Sequence, residues 1–351
     1  METEIISIDD VRLRTGALAK AGGIIRGGGL VAFPTETVYG LGANGLDAAA
    51  CAGIYQAKGR PSDNPLILHI ADLSMLDMVA REVPPLARKL LEKFTPGPLT
   101  VILPKQPAVP DSVTGGLDTV GVRLPANEVA RAMIRAAGVP VAAPSANISG
   151  RPSPTTAQAV AADMQGRIPL ILDGGPCIYG VESTIIDCSG GEVVILRPGG
   201  VTREQLEAVA GTVSLDPALV GADTVPRAPG MKYRHYAPES PLTLVTGEAA
   251  ALEARFLTEL KLRRQAEKKV GVIVSEELAE RLGGLVPPEL VFCFGPRGDY
   301  AAMAARLYEA LRYFDGRGAD CLLGEGTGEE GLGLAVMNRL GKASGFDIIR
   351  A

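Results

Sequence analysis

The stretch KGRPSDNPLILHI (residues 58–70) runs from a cationic loop into an apolar strand, and VPVAAPSANISGRPS (residues 139–153) runs from an apolar strand into a polar loop. Both place cations, amides and hydroxyls where a strand meets a loop, the usual position of a ligand in an open α/β sheet. They therefore predict an α/β fold that binds an anionic ligand, and a nucleoside triphosphate fits best. The sequence contains no GxxxxGK[ST] loop, so that triphosphate would not be held in the P-loop manner.

Strand-like and helix-like segments alternate around these two stretches through the first 210 residues. Apolar runs predict strands at 30–33, 66–70, 99–103, 120–124, 139–143, 170–172, 184–187 and 193–196. Helical periodicity predicts helices at 48–57, 84–94, 128–137, 156–164 and 203–210. The connections between these segments are irregular, which favours a mixed sheet.

The second part of the chain is organised differently. Apolar periodicity fades over 212–240, where prolines interrupt any regular element, so we predict a linker between a first domain at 1–211 and a second at 241–351. Within it, MKYRHY (residues 231–236) is denser in cations and aromatic rings than a tether needs, which favours a segment that docks on a site. From residue 242, strict alternation of strands and helices predicts a small doubly wound parallel sheet.

Composition narrows the class of protein. A chain of 351 residues with 46% hydrophobic content predicts two folded domains. The net charge of −5 argues against a general nucleic-acid coat, so any cationic pocket must be local. The five cysteines form no CxxC pair, which is typical of reduced thiols rather than a zinc site. No signal-peptide pattern or membrane-length apolar run is present, so a cytoplasmic location is expected.

Three cations stand where they need an explanation. Lys58 and Arg60, at the end of a predicted helix, would ordinarily complement the helix dipole. The following run of residues 61–65 fixes the backbone, however, and would hold both over one phosphate site. Arg123 lies inside a predicted strand, where an unpaired cation is costly, so it must pair or bind a ligand, and a substrate with a carboxylate would fit.

Polar stretches at other strand ends have both a functional and a structural explanation. PTETVYGLG (residues 34–42) offers hydroxyls and a carboxylate to a small polar molecule, or forms an ordinary turn. The turn at 144–147 binds a ligand, or is an N-cap or Asx-turn. His69 and His235 alone make a poor metal site, and His69 suits a core position. No GxSxG elbow or Cys–His pair indicates nucleophilic catalysis, so the site would act by positioning reactants and neutralising phosphate charge.

Five motifs, in this order, resemble the YrdC-type threonylcarbamoyl-AMP synthase family. They are PTETVYGLG (34–42), KGRPxxNPL (58–66), GVRxP (121–125), PSANxSG (144–150) and ESTIID (182–187). The resemblance covers residues 20–210, and the linker KYRHYAP (232–238) with the second domain matches the two-domain long form of the family. It implies a first domain with a twisted mixed sheet around a concave cationic cleft, and a Rossmann-like second domain.

The resemblance also implies an activity. L-threonine and bicarbonate would give a carbamate, which attacks the α-phosphate of ATP to form threonylcarbamoyl-AMP and pyrophosphate. A separate tRNA threonylcarbamoyl transferase system would use this adenylate to make threonylcarbamoyladenosine beside the anticodon, and direct contact with tRNA is left open. Mg²⁺ would accompany ATP without a dedicated protein cage.

Carried over position by position, the resemblance implies two adjoining sites. The ATP site would comprise Lys58, Arg60, Asn64, Thr119, Ser145, Asn147, Ser153, Arg197 and Tyr236. The threonine site would comprise Thr35, Thr37, His69, Arg123, Ala143 and Ser183. Lys58 and Arg60 would be the catalytic cations, and Arg123 would take the threonine carboxylate. Tyr236, with His235 beside it, would close over the cleft from the linker.

Two other functions are compatible with the residues. One is an RNA-binding or ribosome-maturation module without turnover, although the acidic balance and the aromatic content of 4% argue against stacking platforms. The other is a carbamoyl-transfer enzyme that adenylates carbamate from carbamoyl phosphate for a different acceptor. Larger proteins with that chemistry carry zinc-finger and acylphosphatase-like segments, which this sequence lacks. Dependence on threonine would separate it from the synthase.

Overall fold

The computed structural model describes residues 1–220 and 235–351. Contacts group these residues into two units. The first contains Met1–Ser149 and the described residues from Ser153 to 220, and the second contains Gly150–Pro152 and the residues from 235 to Ala351. Each unit contains its own β-sheet.

Strands and helices alternate in the first unit. Its strands are β1 (Glu4–Ser7), β2 (Val31–Phe33), β3 (Gly40–Asn44), β4 (Ile67–His69), β5 (Leu99–Pro104), β6 (Thr119–Arg123), β7 (Val141–Ala142), β8 (Leu170–Asp173), β9 (Thr184–Asp187), β10 (Val193–Arg197) and β11 (Val213–Leu215). Its helices are α1 (Thr15–Arg26), α2 (Ala48–Lys58), α3 (Leu76–Val79), α4 (Pro85–Phe94), α5 (Asp111–Thr114), α6 (Glu128–Ala137), α7 (Ala157–Met164) and α8 (Arg203–Ala210).

The strands of the first unit form one sheet in the order β1-β8-β2-β3-β7-β4-β6-β5-β9-β10-β11. The sheet contains both parallel pairs, such as β4 with β6, and antiparallel pairs, such as β5 with β6. This mixture confirms the predicted mixed α/β sheet. It also brings β4, β5 and β6, which carry polar residues in apolar strands, to the centre of the sheet.

Helices cover both faces of this sheet. Successive residues of a strand point to opposite faces, so neighbouring residues pack against different helices. In β2, Val31 and Phe33 pack into an apolar cluster with residues of α1 and α6. Ala32, between them, packs into a second cluster with residues of α2 and α4. Burial on both faces is the reason that these strands appear in the sequence as continuous apolar runs.

Two elements of the first unit escape the sequence prediction because glycines obscure their pattern. In β3, a Cβ at Gly42 would lie 2.8 Å from the Val141 side chain and 2.9 Å from Phe33. In α1, a Cβ at Gly22 would lie 2.5 Å from the backbone of Ala136 in α6. Close packing against neighbouring side chains at Gly42 and against the α6 backbone at Gly22 therefore requires glycine at these positions. Glycine replaces the β-branched or helix-forming residues by which each element would be recognised.

The predicted linker at 212–240 differs from the structure at its beginning. β11 pairs in parallel with β10, and Pro217–Val220 form a single 3₁₀ turn. The sheet of the first unit therefore extends past residue 211. The sequence does not predict this strand because three residues at a sheet edge are too few to show a periodic pattern. Residues 221–234 of the predicted linker lie outside the described part of the chain.

The second unit is a doubly wound α/β structure. Its strands are β12 (Leu242–Thr246), β13 (Val270–Val274), β14 (Val291–Cys293), β15 (Cys321–Glu325) and β16 (Ile348–Arg350), and its helices are α9 (Ala249–Gln265), α10 (Glu276–Leu282), α11 (Tyr300–Tyr313) and α12 (Gly333–Ala343). The strands form a parallel sheet in the order β14-β13-β15-β12-β16, which confirms the prediction for this half. No helix in the described ranges combines the length and apolarity needed to cross a membrane.

Candidate active site

Lys58 joins the two loops that the sequence singled out. It is the last residue of α2, which ends at Gly59 in a left-handed conformation (φ 61°), and its side chain is only 1% exposed. Its Nζ donates to the backbone carbonyls of Ser145 and Asn147, and its own carbonyl accepts from Ser149 N–H at 2.9 Å. The buried ammonium therefore lies directly against the turn that follows β7 and fixes the position of that turn.

The loop after α2 is held from beneath by a tyrosine. Tyr55 Oη lies 3.1 Å from the Asn64 carbonyl and 2.8 Å from the Ser112 carbonyl, and Arg60 Nη2 donates to the Asn64 carbonyl at 3.3 Å. The Asn64 side chain is 3% exposed, and its Nδ2 has no hydrogen-bond partner among the residues described. A buried amide without a partner is costly, so this site favours an acceptor such as a phosphate oxygen.

Arg123 forms a buried ion pair with a carboxylate of the PTETVYGLG stretch. Its Nη2 lies 2.7 Å from Glu36 Oε1, and the two side chains are 5% and 4% exposed. The Nε of Arg123 is also buried, and no described residue accepts its hydrogen. The expectation that an arginine in a strand must pair or bind a ligand is thus met in part by Glu36. The Nε–H group remains available for a further acceptor.

His69 is a neighbour of Arg123 across β4 and β6, where the two residues are in register. Its Nδ1 lies 3.2 Å from the Ile67 carbonyl, and its ring meets Phe33 edge-on with centroids 6.0 Å apart. Burial, with the nearby charge of Arg123, lowers the pKa of His69 to about 3. The ring is therefore neutral at physiological pH and offers a neutral polar wall, not a cation, to a ligand.

The low pKa of His69 predicts a pH-dependent stability. Because the pKa is about 3 in the folded state and 6.5 in the unfolded state, protonation favours unfolding as the pH falls from 6.5 towards 3. The contribution of the neutral His69 ring to the free energy of unfolding is complete above pH 6.5, and about 2 kcal/mol of it should be lost by pH 5. Urea unfolding of wild type and His69→Asn at pH 7.5 and 5 measures this. We expect a smaller loss in the variant, and equal losses would contradict the neutral, buried ring.

Ser183 lies at the centre of a second polar group. Its Oγ is 2.8 Å from Thr100 Oγ1, and Arg197 Nη2 donates to its carbonyl at 2.9 Å and to its Oγ at 3.1 Å. Thr100 pairs with Arg123 across β5 and β6, which connects this group to the Glu36 ion pair. Arg197 therefore holds Ser183 in place from the end of β10.

Thr35 and Thr37 lie in the loop between β2 and β3 with their hydroxyls 2.9 Å apart, and three other predicted residues of the first unit lie elsewhere. Ser153 Oγ donates to Glu182 Oε1 at 2.7 Å, and both side chains are buried. Ala143 N–H donates to the Ile67 carbonyl at 2.9 Å, beside β4. Thr119 begins β6, four residues before Arg123, which is about 13 Å along the strand. These three residues therefore lie at the start of β6, directly after β7 and in the loop before α7.

Tyr236 belongs to the second unit. Its side chain is 5% exposed, its ring centroid lies 5.3 Å from that of Tyr308, and the Arg339 guanidinium lies 5.8 Å from its ring centroid. His235 lies beside it, with ring centroids 5.5 Å apart. The preceding residues 231–234 of the linker motif lie outside the described part of the chain. Contact of Tyr236 with ATP stays a prediction.

Three residues of these networks were absent from the predicted site. Glu36 and Glu182 are buried carboxylates that pair with Arg123 and Ser153, and Thr100 holds Ser183. The signal available for Thr100 is a polar residue inside an apolar strand, as for Arg123. The two glutamates stand within motifs already quoted, but only their burial reveals that they act on neighbouring side chains.

Comparison with known proteins decides the family. A family model described as "Telomere recombination" matches residues 23–199, and one described as "Threonylcarbamoyl-AMP synthase, C-terminal domain" matches residues 201–345. A threonylcarbamoyl-AMP synthase of Pyrococcus abyssi is 49% identical over 350 residues, which cover 99% of this chain and 99% of that protein. The chain belongs to the threonylcarbamoyl-AMP synthase family. The resemblance inferred from the five motifs is thereby confirmed.

Further relatives extend the likeness within this family. A threonylcarbamoyl-AMP synthase of Bacillus subtilis is 46% identical over 343 residues, 97% of each chain. The chain in the crystal structure of Pyrococcus abyssi Sua5 complexed with L-threonine shares 47% sequence identity with this chain. The two superpose with a TM-score of 0.92 over 99% of this chain and 100% of that one. The two-unit architecture is therefore that of the long-form members of the family.

Proposed function

We propose that this protein makes L-threonylcarbamoyl-AMP and pyrophosphate from L-threonine, bicarbonate and ATP. The observation that carries the proposal is the Pyrococcus abyssi relative solved with L-threonine, which matches this chain at 47% identity over 99% of its length. A buried arginine with an N–H available for a carboxylate, and a polar turn held by a buried lysine that suits a polyphosphate, both support the same reaction.

The reaction has two steps. The threonine nitrogen attacks the carbon of bicarbonate, a water molecule leaves, and an N-carboxylated threonine (a carbamate) forms. A carbamate oxygen then attacks the α-phosphorus of ATP, and the bond between that phosphorus and the bridging oxygen to the β-phosphate breaks. Pyrophosphate takes the electron pair of the broken bond. Both steps join anions or weak nucleophiles, so positioning and charge neutralisation supply the acceleration.

Different residues of the first unit are proposed to bind the phosphates, the rest of the nucleotide and the threonine. Lys58 and Arg60 would neutralise phosphate charge, and Asn64 would donate its buried amide to a phosphate oxygen. Ser145 and Asn147, fixed by Lys58, would hold the nucleotide with Thr119, Ser153 and Arg197. Thr35, Thr37, His69, Ala143 and Ser183 would line the threonine site, and Arg123 would bind its carboxylate through the N–H that Glu36 leaves available. Tyr236 would approach the nucleotide from the linker side.

Mg²⁺ is proposed to reach the site with ATP. Among the described residues, no group of three or more His, Cys, Asp or Glu side chains is placed to hold a metal ion. Mg²⁺ commonly binds substrate phosphates and water rather than a dedicated protein cage, and this is the mode of binding that we propose. When bound, it would neutralise part of the triphosphate charge.

The product implies a consumer. A mixed anhydride of a carbamate and AMP is an activated acyl donor, so we propose that a separate tRNA threonylcarbamoyl transferase system uses it to make threonylcarbamoyladenosine next to the anticodon. We propose a cytoplasmic location for this sequence of reactions. The free thiols of all five cysteines, three of them buried, support a reducing compartment.

Pyrophosphate release tests the proposal. The protein is incubated with ATP and Mg²⁺, and threonine and bicarbonate are omitted in turn. We expect release only when both are present. Release without threonine would indicate a different acceptor, and RNA binding without any release would support the binding module instead.

A further inference from the structure

Glu36 is a buried carboxylate that the reaction above does not use. Its Oε1 accepts from Arg123 Nη2 at 2.7 Å, and its Oε2 accepts from the backbone N–H groups of Ala126 and Asn127 at 3.1 and 3.4 Å. Both oxygens are thus engaged by donors from β6 and from the start of α6. A carboxylate held by three donors in a buried position is fixed in orientation as well as in place.

The backbone of Glu36 is fixed as firmly as its side chain. Its carbonyl accepts from the N–H groups of Ile178 at 3.1 Å and Tyr179 at 2.9 Å. On either side of it, the hydroxyls of Thr35 and Thr37 lie 2.9 Å apart, and Thr35 Oγ1 donates to the Val38 carbonyl at 2.6 Å. Glu36 therefore holds the Arg123 guanidinium in a fixed position relative to the loop that carries the two predicted threonine-binding hydroxyls.

Glu36 is poorly suited to take a proton from the substrate. Burial alone would raise the pKa of its carboxyl, but the Arg123 charge and the hydrogen bonds together lower that pKa below its ordinary value. The group is therefore ionised at neutral pH, and each oxygen already accepts a hydrogen bond. A general base needs an open oxygen within reach of the proton, which this geometry does not provide.

We propose that Glu36 is a positioning residue that aims Arg123 at the carboxylate of threonine. The ion pair uses Nη2 and leaves the buried Nε without a described acceptor, so Glu36 determines which edge of the guanidinium faces the substrate. It also neutralises the charge of Arg123, so the site selects a carboxylate by hydrogen-bond geometry more than by net charge. This inference deepens the proposed function and rests on it.

Replacement of Glu36 by glutamine tests the inference because the two side chains have nearly the same shape. Glutamine has one acceptor oxygen and one NH₂ donor. Whichever way the amide turns, its NH₂ faces either the Arg123 guanidinium or the N–H groups of Ala126 and Asn127, and two donors then oppose each other. Arg123 must shift, so we expect the KM for threonine to rise about 10- to 100-fold, with the KM for ATP changed less than twofold.

Glu325→Gln in the second unit is the matched control. Glu325 is 2% exposed, its Oε1 accepts from Arg297 Nε at 2.7 Å, and its Oε2 accepts from Ser275 N–H at 2.7 Å, so it is also a buried carboxylate between an arginine and a backbone donor. We expect this variant to lose stability while keeping the wild-type KM for threonine. Thermal unfolding of both variants and of wild type confirms that each is folded under the assay conditions.

A competitor without the carboxylate separates positioning from a general structural effect. L-threoninamide should inhibit wild type and Glu36→Gln with the same Ki, since Arg123 has no carboxylate to hold. A change in threonine KM without a change in this Ki supports the inference. Equal changes in the KM values for threonine and ATP, or an unchanged KM for threonine in a folded Glu36→Gln, would overturn it. Absence of threonine-dependent turnover in wild type would instead contradict the proposed function.

Discussion

Replacing Lys58 with methionine should lower kcat for pyrophosphate release by about 100- to 1000-fold, the range found when one preorganised donor to a developing charge is removed. Methionine keeps a long unbranched side chain in a buried position but removes the charge. The ammonium contacts the backbone of Ser145 and Asn147, so its loss removes both the cation proposed to neutralise the triphosphate and the anchor of the turn proposed to hold the nucleotide. Steady-state kinetics with ATP and threonine varied separately measures the change.

Lys89→Met provides the control for this prediction. Lys89 also lies on a helix, α4, and its Nζ donates to a backbone carbonyl, that of Val209, at 2.7 Å, but the contact is exposed. We expect this variant to keep wild-type kinetics. Lys58→Met should also lose about 1–3 kcal/mol of stability, because the two carbonyls lose a buried donor. A folded Lys58→Met whose kcat equals that of Lys89→Met would exclude a role for the ammonium in the reaction.

Replacing Arg123 with methionine should affect stability and threonine binding together. Glu36 would be left as a buried charge without its cation, and breaking a buried pair in this way costs about 3–5 kcal/mol. In a domain of this size that corresponds to a fall in Tm of about 10 °C. The proposed threonine site would also lose the guanidinium that binds the substrate carboxylate, so the KM for threonine should rise at least about 100-fold, more than the KM for ATP.

The double variant Glu36→Gln/Arg123→Met separates these two effects. With both charges removed, most of the lost stability should return, because a neutral pair of similar volume leaves no uncompensated charge. The KM for threonine should stay high, since no guanidinium is present to bind the carboxylate. Differential scanning calorimetry and kinetics on the same preparations provide both readouts. Recovery of threonine affinity in the double variant would show that Arg123 acts only through folding.

The sequence predicts the central part of the fold because the strands there are buried on both faces. β4, β5 and β6 appear as mainly apolar runs that carry single polar residues, and each begins and ends within two residues of its predicted bounds. Apart from the glycine-containing β3, the strands that escape prediction are β1, β11 and β16, which lie at the edges of their sheets and are three or four residues long. Short edge strands are partly exposed, so they carry too little alternation to be recognised.

The candidate site shows a similar division between local and long-range information. Its cations are visible in the sequence because Lys58 and Arg60 stand at the end of a helix before a rigid loop, and Arg123 stands inside an apolar strand. The residues that pair with the site residues are not visible in the sequence, because they are distant along the chain. Glu36 and Arg123 are 87 residues apart, and Thr100 and Ser183 are 83 residues apart. The rule that a buried arginine needs a carboxylate predicts that a partner exists, but only the register of the strands and the path of the 34–38 loop select Glu36.

Direct detection of the product is the measurement that tests the central claim. The full chain is incubated with ATP, Mg²⁺, L-threonine and ¹³C-labelled bicarbonate, and the nucleotides are analysed at once by mass spectrometry. We predict an AMP adduct that contains threonine and one ¹³C atom, and that disappears when either threonine or bicarbonate is omitted. Formation of ADP, or of AMP without a threonine-containing adduct, would contradict the proposed synthase reaction.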